Sequence, residues 1–143
     1  MLAAQKKLIQ ETWAQAVPMA DQVATIFYQS LFYIDPSTRP LFRATDMVQQ
    51  RKKLLQILTV AVSSLDNLGA LSKTVEDLGR RHAGYGVTDK HYDSVGVALI
   101  WTLERALGPA WTPQAAAAWK EVYGLLSTIM RQAQHEAVAV RAA

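Results

Sequence analysis

The sequence lacks cysteine, which excludes disulfide scaffolds, thiolate zinc sites, iron–sulfur clusters and cysteine nucleophiles. It also lacks an apolar run near the roughly 18–20 residues that a membrane helix needs, and four polar side chains interrupt the apolar segment 54–65. The charged N-terminal residues have no apolar stretch behind them, so a signal peptide is not expected. These absences predict a cytoplasmic protein with no membrane association.

The positive and negative charges nearly balance, and long runs of one sign are missing. There are 15 lysines and arginines against 12 acidic residues, and the longest basic run covers only residues 51–53. A surface that follows nucleic-acid phosphates needs a denser cluster, so we expect no nucleic-acid partner. The length of 143 residues and the 50% hydrophobic content fit a single domain spanning 1–143. Within it we expect a structured core over about 3–135 and a frayed C-terminal tail.

Helix-breaking residues are few. The chain has five prolines and seven glycines, and residues 1–17 and 41–68 contain neither. Alanine and leucine are the most frequent residues, glutamine is also common, and all three are good helix formers. The fold class is therefore predicted to be all-α. The predicted helices cover residues 3–17, 18–34, 47–67, 71–83, 89–107 and 113 to about 135. A short turn is predicted at 36–42, and Gly69 is predicted to end the third helix. The predicted N-caps are Thr45 or Asp46 for the third helix, Thr88 or Asp89 for the fifth and Thr112 for the last.

One of the three histidines lies on an apolar helix face. Leu71, Val75, Leu78 and His82 follow each other at helical spacing, which places an imidazole on the buried side. A buried imidazole needs a partner, and either a metal or a backbone carbonyl would serve. Taken alone, the pattern favours a core histidine satisfied by a carbonyl. The other two histidines, at 91 and 135, have polar neighbours and are predicted to be solvated.

Other polar side chains interrupt apolar faces in the same way. Gln50 breaks the apolar line of the third helix, and its amide either donates into the interior or points to water. Tyr28, Phe42 and Tyr92 each fit plain core packing or contact with a ligand. The sequence contains no dinucleotide-binding glycine motif, P-loop, HExxH or EF-hand loop, so no catalytic set follows from motifs.

Together, these positions resemble the globin family. Tyr28 precedes Pro36 by eight residues, Pro36 precedes Phe42 by six, Gln50 precedes His82 by thirty-two and His82 precedes Tyr92 by ten. Trp13 and Leu54 complete the ordered set. Residues 77–82 and 95–99 are similar to single-domain bacterial haemoglobins of the Hell's Gate globin type, which are related to the globin module of flavohaemoglobins.

This resemblance implies a globin fold around heme b (iron protoporphyrin IX). It makes His82 the proximal iron ligand, with Tyr28 and Gln50 stabilising a ligand on the open side. A glutamine at position 50 argues against a resting iron held by two histidines. The remaining haem contacts that it implies are wedges at Phe42 and Leu54, propionate partners at Lys53 and Arg81, pocket walls at Leu78, Val87 and Val95, and Tyr92 beside the proximal histidine.

The implied function is reversible binding of dioxygen and of other diatomic ligands such as NO and CO. The alternative is a nitric oxide dioxygenase that works with a separate reductase, because 143 residues cannot contain a reductase module. A haem-based sensor and a helical protein without haem rank below both. The proximal glutamate of flavohaemoglobins falls at Gln134 in this sequence, with Glu136 two residues further on, and the contributing residue stays open. The protein is expected to be a monomer or a homodimer.

Overall fold

The computed structural model describes the backbone of residues 1–142 and the side chains of residues 1–139. Within this range the chain forms α-helices joined by short turns and no strand, which confirms the predicted all-α class. Three of the turns, Val17–Met19, Pro36–Phe42 and Gly108–Ala110, are 3₁₀-helical. The helices are α1 (Ala3–Ala16), α2 (Ala20–Ile34), α3 (Met47–Ser63), α4 (Leu68–His82), α5 (Asp89–Leu107) and α6 (Pro113–Ala142).

The long helix α6 supports three of the other helices. It lies against α4, α1 and α5, while α2 packs against α5 and α3. The apolar faces of α1, α2, α3, α5 and α6 meet in one buried cluster. A smaller cluster joins Ala61 of α3 to Leu71 and Val75 of α4. The apolar face predicted for residues 71–82 is therefore buried over its first two turns.

The prediction was wrong at the junction of α3 and α4. Gly69 was expected to end the third helix, but α3 stops at Ser63 and Gly69 lies in the first turn of α4. The reason is a cap that the prediction did not weigh: the Asn67 side chain accepts a hydrogen bond from the Ala70 amide at 3.3 Å. Asparagine is among the best N-cap residues, so the helix begins directly after it.

The other boundaries agree more closely with the sequence. The helix over 89–107 has the predicted ends, and Asp46 caps α3 by accepting from the Val48 amide at 3.0 Å. The Thr112 hydroxyl caps α6, with Pro113 at the first helical position. The helix α6 continues to Ala142, beyond the predicted end near 135, because residues 136–142 contain no helix breaker. Residue 143 and the side chains of 140–142 lie outside the described residues.

A buried carboxylate fixes the end of α2 against α5. Asp35 is 5% exposed and accepts from the Ser37 amide at 3.1 Å, the Ser37 hydroxyl at 2.5 Å and the Ser94 hydroxyl at 2.7 Å. These hydrogen bonds hold the pKa of the Asp35 carboxyl below its usual range. The carboxylate therefore stays ionised at neutral pH and ties the segment after α2 to the first turns of α5.

The same junction corrects one histidine prediction. His91 is half-buried rather than solvated: its Nδ1 accepts from the Thr88 amide at 3.0 Å, and its Nε2 lies 3.1 Å from the Ser37 hydroxyl. Because Nδ1 accepts, Nε2 carries the proton and donates to Ser37. His135 is exposed as expected and bonds Asp89 at 2.9 Å.

The helix α4 approaches α6 closely at a glycine. A β-carbon added at Gly79 would lie 2.8 Å from the Met130 Cα, and it would also overlap the Met130 carbonyl oxygen. Backbone atoms cannot rotate away as a side chain can, so a larger residue at position 79 must push the helices apart. The spacing between α4 and α6 therefore depends on the missing side chain of Gly79.

Replacing Gly79 with alanine is expected to lower stability by about 1–3 kcal/mol, since overpacking at a backbone contact outweighs the better helix propensity of alanine. Thermal unfolding followed by circular dichroism measures the change. Gly124→Ala is the matched control, because a β-carbon there has no neighbour within 4 Å; it is expected to raise the melting temperature. A melting temperature of Gly79→Ala at or above that of the parent would contradict the close approach.

Candidate functional site

The predicted proximal histidine is the last residue of α4, at the edge of the core. His82 is half-buried, and its Nδ1 lies 3.1 Å from the Tyr92 hydroxyl of α5. Burial, together with the neighbouring Arg81 charge, lowers the pKa of His82 below its ordinary value. The imidazole is therefore neutral at neutral pH, the form in which histidine binds metals.

The hydrogen bonds continue from Tyr92 to α6. The Tyr92 hydroxyl donates to Gln134 Oε1 at 2.5 Å, and Gln134 Nε2 donates to the Val87 carbonyl. Tyr92 is 3% exposed and Gln134 is 7% exposed, so water has little access to this chain of groups. Burial raises the pKa of Tyr92 to about 12, so its hydroxyl keeps its proton. Of the two residues left open by the sequence, Gln134 is the one in contact, while Glu136 is exposed and accepts from Gln132.

Two further residues of α6 hold Tyr92, and the sequence analysis missed both. The Tyr123 hydroxyl donates to the Tyr92 carbonyl at 2.5 Å, and the Arg131 guanidinium lies 5.3 Å from the centre of the Tyr92 ring. Arg131 is itself held by Asp93 at 2.5 Å. Tyr123, Arg131 and Gln134 share one face of α6 at intervals of eight and three residues. A search for polar residues repeating along the last helix would have found them.

Tyr28 of α2 and Gln50 of α3, the pair predicted for the open side, contact each other. Gln50 Nε2 donates to the Tyr28 hydroxyl oxygen at 3.1 Å. Tyr28 is 6% exposed, and burial raises its pKa above the ordinary tyrosine value. The hydroxyl is therefore protonated at neutral pH. Within the described side chains its proton has no acceptor, so it is available to a ligand.

Aromatic rings fix the position of that hydroxyl. The Tyr28 ring centre lies 5.5 Å from that of Phe42, and Phe27 contacts Tyr28 edge-on at 5.0 Å. Phe32, which the sequence analysis did not single out, lies 5.6 Å from Phe42 and carries the Arg39 guanidinium over its face at 5.5 Å. Phe42 thus belongs to an aromatic cluster in which edge-to-face contacts restrict the Tyr28 ring.

The remaining predicted haem contacts are placed as follows. Leu54 and Val95 are half-buried and pack against the main core, and Leu78 and Val87 are half-buried as well. Lys53 and Arg81 are exposed and make no ion pair within the described side chains. No hydrogen bond joins the His82 group to the Tyr28 group among residues 1–139, so the two groups are separate in the structure.

The donor set determines what kind of metal centre these residues can make. In the described part of the chain, no three His, Asp or Glu side chains come together as a chelating cluster. A metal held at His82 therefore needs its other ligands from a non-protein group. An iron porphyrin would meet this need, because the macrocycle would supply four nitrogens and His82 could supply an imidazole ligand. The residues present fit such a group.

No helix within residues 1–142 combines the length and the apolar character that crossing a membrane would require.

Comparisons with known proteins agree with this arrangement. A family model described as Globin matches residues 25–130. Neuroglobin of Chaenocephalus aceratus is 27% identical to this chain over 140 residues, which cover 89% of this chain and 88% of the relative. Neuroglobin of Danio rerio is 27% identical over 138 residues, which cover 87% of each protein. A crystal structure of a hexacoordinated haem protein from an anhydrobiotic tardigrade at pH 4 superposes with a TM-score of 0.81, at 18% identity, covering 94% of this chain and 96% of that one. The superposition confirms the expected fold.

Proposed function

The chain belongs to the globin family, whose cofactor is haem and whose members bind diatomic gases, and from this membership we propose that it binds dioxygen reversibly. The observation that carries the proposal is the hydrogen bond between His82 Nδ1 and the Tyr92 hydroxyl. This bond occupies Nδ1 of the imidazole ring, and the other ring nitrogen, Nε2, makes no hydrogen bond among the described residues. A neutral imidazole held in this way is oriented to bind iron through Nε2.

The other parts of the proposed haem site follow from burial and charge. The iron supplies an open position at which a diatomic gas binds. Half-buried apolar side chains can pack on the flat faces of a macrocycle, and exposed cationic side chains can pair with its propionates. We assign Phe42, Leu54, Leu78, Val87 and Val95 to the faces, and Lys53 and Arg81 to the propionates.

On the open side, the proposed task of Tyr28 is to donate its proton to the ligand. Gln50 occupies a lone pair of the Tyr28 hydroxyl, which directs the hydroxyl proton elsewhere. A bound haem would let dioxygen take on negative charge, and a hydrogen bond from Tyr28 would stabilise that charge by roughly 1.5–3 kcal/mol. This would slow the release of dioxygen.

No second histidine is placed to close the open side. His91 is engaged with Ser37 and Thr88, and His135 pairs with Asp89. We therefore propose that the resting iron has one histidine ligand, unlike the hexacoordinated haem protein with the same fold. The proposal that the chain belongs to the bacterial Hell's Gate subgroup rests on the landmark residues alone. The cytoplasmic location and the monomeric or homodimeric state remain predictions.

His82→Ala is expected to abolish stable haem binding, because the variant lacks the one imidazole positioned to ligate the iron. Titration of the purified protein with hemin, followed at the Soret band, measures this, and the parent should saturate near one equivalent. His135→Ala removes an exposed histidine and should bind hemin as the parent does. Equal hemin affinity in His82→Ala and the parent would refute the assignment.

Tyr28→Phe is expected to release dioxygen about tenfold faster or more, which corresponds to the loss of one charge-assisted hydrogen bond. Stopped-flow displacement of dioxygen by carbon monoxide measures the rate. Tyr33→Phe is the matched control on the same helix, since Tyr33 is 87% exposed. An unchanged release rate in Tyr28→Phe would remove this residue from the proposed role.

A nitric oxide dioxygenase is the second candidate, because the Tyr28 proton also suits a dioxygen that reacts with nitric oxide to give nitrate. This conversion would leave a bound haem oxidised by one electron, and a separate reductase would have to return that electron. The test is nitrate formation over many equivalents in the presence of a bacterial reductase and a nicotinamide cofactor. Sustained turnover, lowered in Tyr28→Phe, would favour the enzyme, whereas a single equivalent of nitrate would favour the carrier.

A further inference from the structure

We propose that the groove between α5 and α6 binds a second copy of this chain, so that α5 of each copy lies on α6 of the other in a two-fold homodimer. The groove has a volume of about 720 Å³, and its walls are the solvent-facing rows of the two helices. None of the residues assigned to contact haem lies in it. The proposal therefore goes beyond the proposed function and does not depend on it.

The wall formed by α5 carries large apolar side chains in contact with water. Val97 and Trp101 lie one turn apart on this wall, and both are exposed. Large apolar side chains that lie together on a surface mark an interaction site, whereas single ones are ordinary. Tryptophan is also enriched among the few residues that supply most of the binding energy of an interface. This wall therefore has the composition expected at the centre of an interface.

The exposed indole is held in place by a neighbouring cation. The Arg105 guanidinium lies 3.6 Å from the centre of the Trp101 ring, which is a cation–π contact. A side chain that is already fixed loses less conformational freedom when a partner covers it. Trp101 is therefore prepared for contact with another molecule.

The opposite wall, on α6, leaves room for such a ring. Gly124 has no side chain, and a β-carbon added there would have no neighbour within 4 Å. The floor of the groove is closed, because a β-carbon added at Gly96 would lie 2.7 Å from the Tyr123 ring. The two helices are thus in close contact below and open above. A ring from a second copy can reach the α6 backbone at Gly124.

The charged side chains of the groove are separated by sign. Both acids, Asp93 and Glu104, lie on α5, and both cations, Lys120 and Arg131, lie on α6. Asp93 and Arg131 pair with each other at one end of the groove. At the other end, Glu104 and Lys120 make no ion pair among the side chains of residues 1–139. One wall is therefore negative, the other is positive, and one charge of each sign is left for a partner.

This separation selects one of two symmetric arrangements. When the two-fold axis runs along the helices, α5 lies on α6 of the second copy, and Glu104 faces Lys120 while Asp93 faces Arg131. When α5 instead lies antiparallel on α5, Glu104 faces Asp93 and Lys120 faces Arg131. Like charges that face each other across an interface are costly. The groove is therefore complementary to itself only in the first arrangement.

The same arrangement brings the apolar wall over the open one. Trp101 is three residues from Glu104 and Gly124 is four residues from Lys120, so each lies about one helical turn from that end of the groove. The Trp101 ring of each copy consequently lies over Gly124 of the other. Two-fold symmetry repeats every contact and closes the assembly at two copies.

Sedimentation equilibrium of the purified full chain tests the dimer, and the parent is expected to be dimeric at micromolar concentrations. Trp101→Ala is expected to raise the dissociation constant at least roughly a hundredfold, because symmetry removes two central contacts at once. Tyr33→Ala is the matched control, since it removes an exposed aromatic ring of α2 outside the groove and should leave the constant unchanged. Circular dichroism establishes that each variant is folded.

Charge reversals test the arrangement of the two copies. Glu104→Lys places two cations at one end of the groove and Lys120→Glu places two anions there, so each variant alone is expected to dimerise at least about tenfold more weakly than the parent. A mixture of the two variants should form a mixed dimer, in which every cation faces an anion again. Glu76→Lys reverses an exposed charge on α4 and should dimerise as the parent does.

Three outcomes would overturn the proposal. A parent that stays monomeric at every concentration would leave the groove to a different partner. A dimer that is unchanged in folded Trp101→Ala and in folded Glu104→Lys would place the interface on another surface. Two charge variants that each weaken the dimer but do not associate when mixed would exclude the contact of α5 with α6 of the second copy.

Discussion

The hydrogen bond between His82 and Tyr92 is the contact on which the rest of the site depends. His82 ends α4 and Tyr92 lies in the first turn of α5, so the bond forms only if both helices are held at the correct distance. The helix α6 provides this distance. It approaches α4 at Gly79 and contacts Tyr92 through Gln134 and Tyr123. One long helix therefore positions both partners of the bond.

Much of the site was predictable because the residues that form it interrupt regular patterns. His82 stands on an apolar helix face, and Gln50 breaks the apolar line of its helix, so each is visible from helical periodicity alone. The choice between a core histidine and a metal ligand was not decided by periodicity. The proposal that His82 is a metal ligand rests on the order and spacing of the whole set of landmark residues, together with the fit of a single histidine to a metal bound by a macrocycle.

What the sequence did not predict depends on contacts between distant segments. The start of α4 was misplaced because the cap at Asn67 competes locally with the glycine signal at Gly69, and both signals are weak. The Gln134 amide donates to a carbonyl in the turn between α4 and α5, 47 residues earlier in the chain. Helical periodicity reports which face of a helix is buried, but it does not report which backbone group that face meets. Such pairings arise only from the packing of the helices.

The two groups of the proposed haem site are coupled through the segment between them. Tyr28 lies on α2, which ends beside Asp35, and the Asp35 carboxylate binds Ser94, two residues after Tyr92 on α5. A displacement of α5 that moved Tyr92 would therefore strain the Asp35 contact and, through α2, would alter the position of Tyr28. The Tyr92 hydroxyl beside His82 and the Tyr28 hydroxyl beside Gln50 are thus held by one framework. Their relative position is therefore set by the packing of α2 against α5.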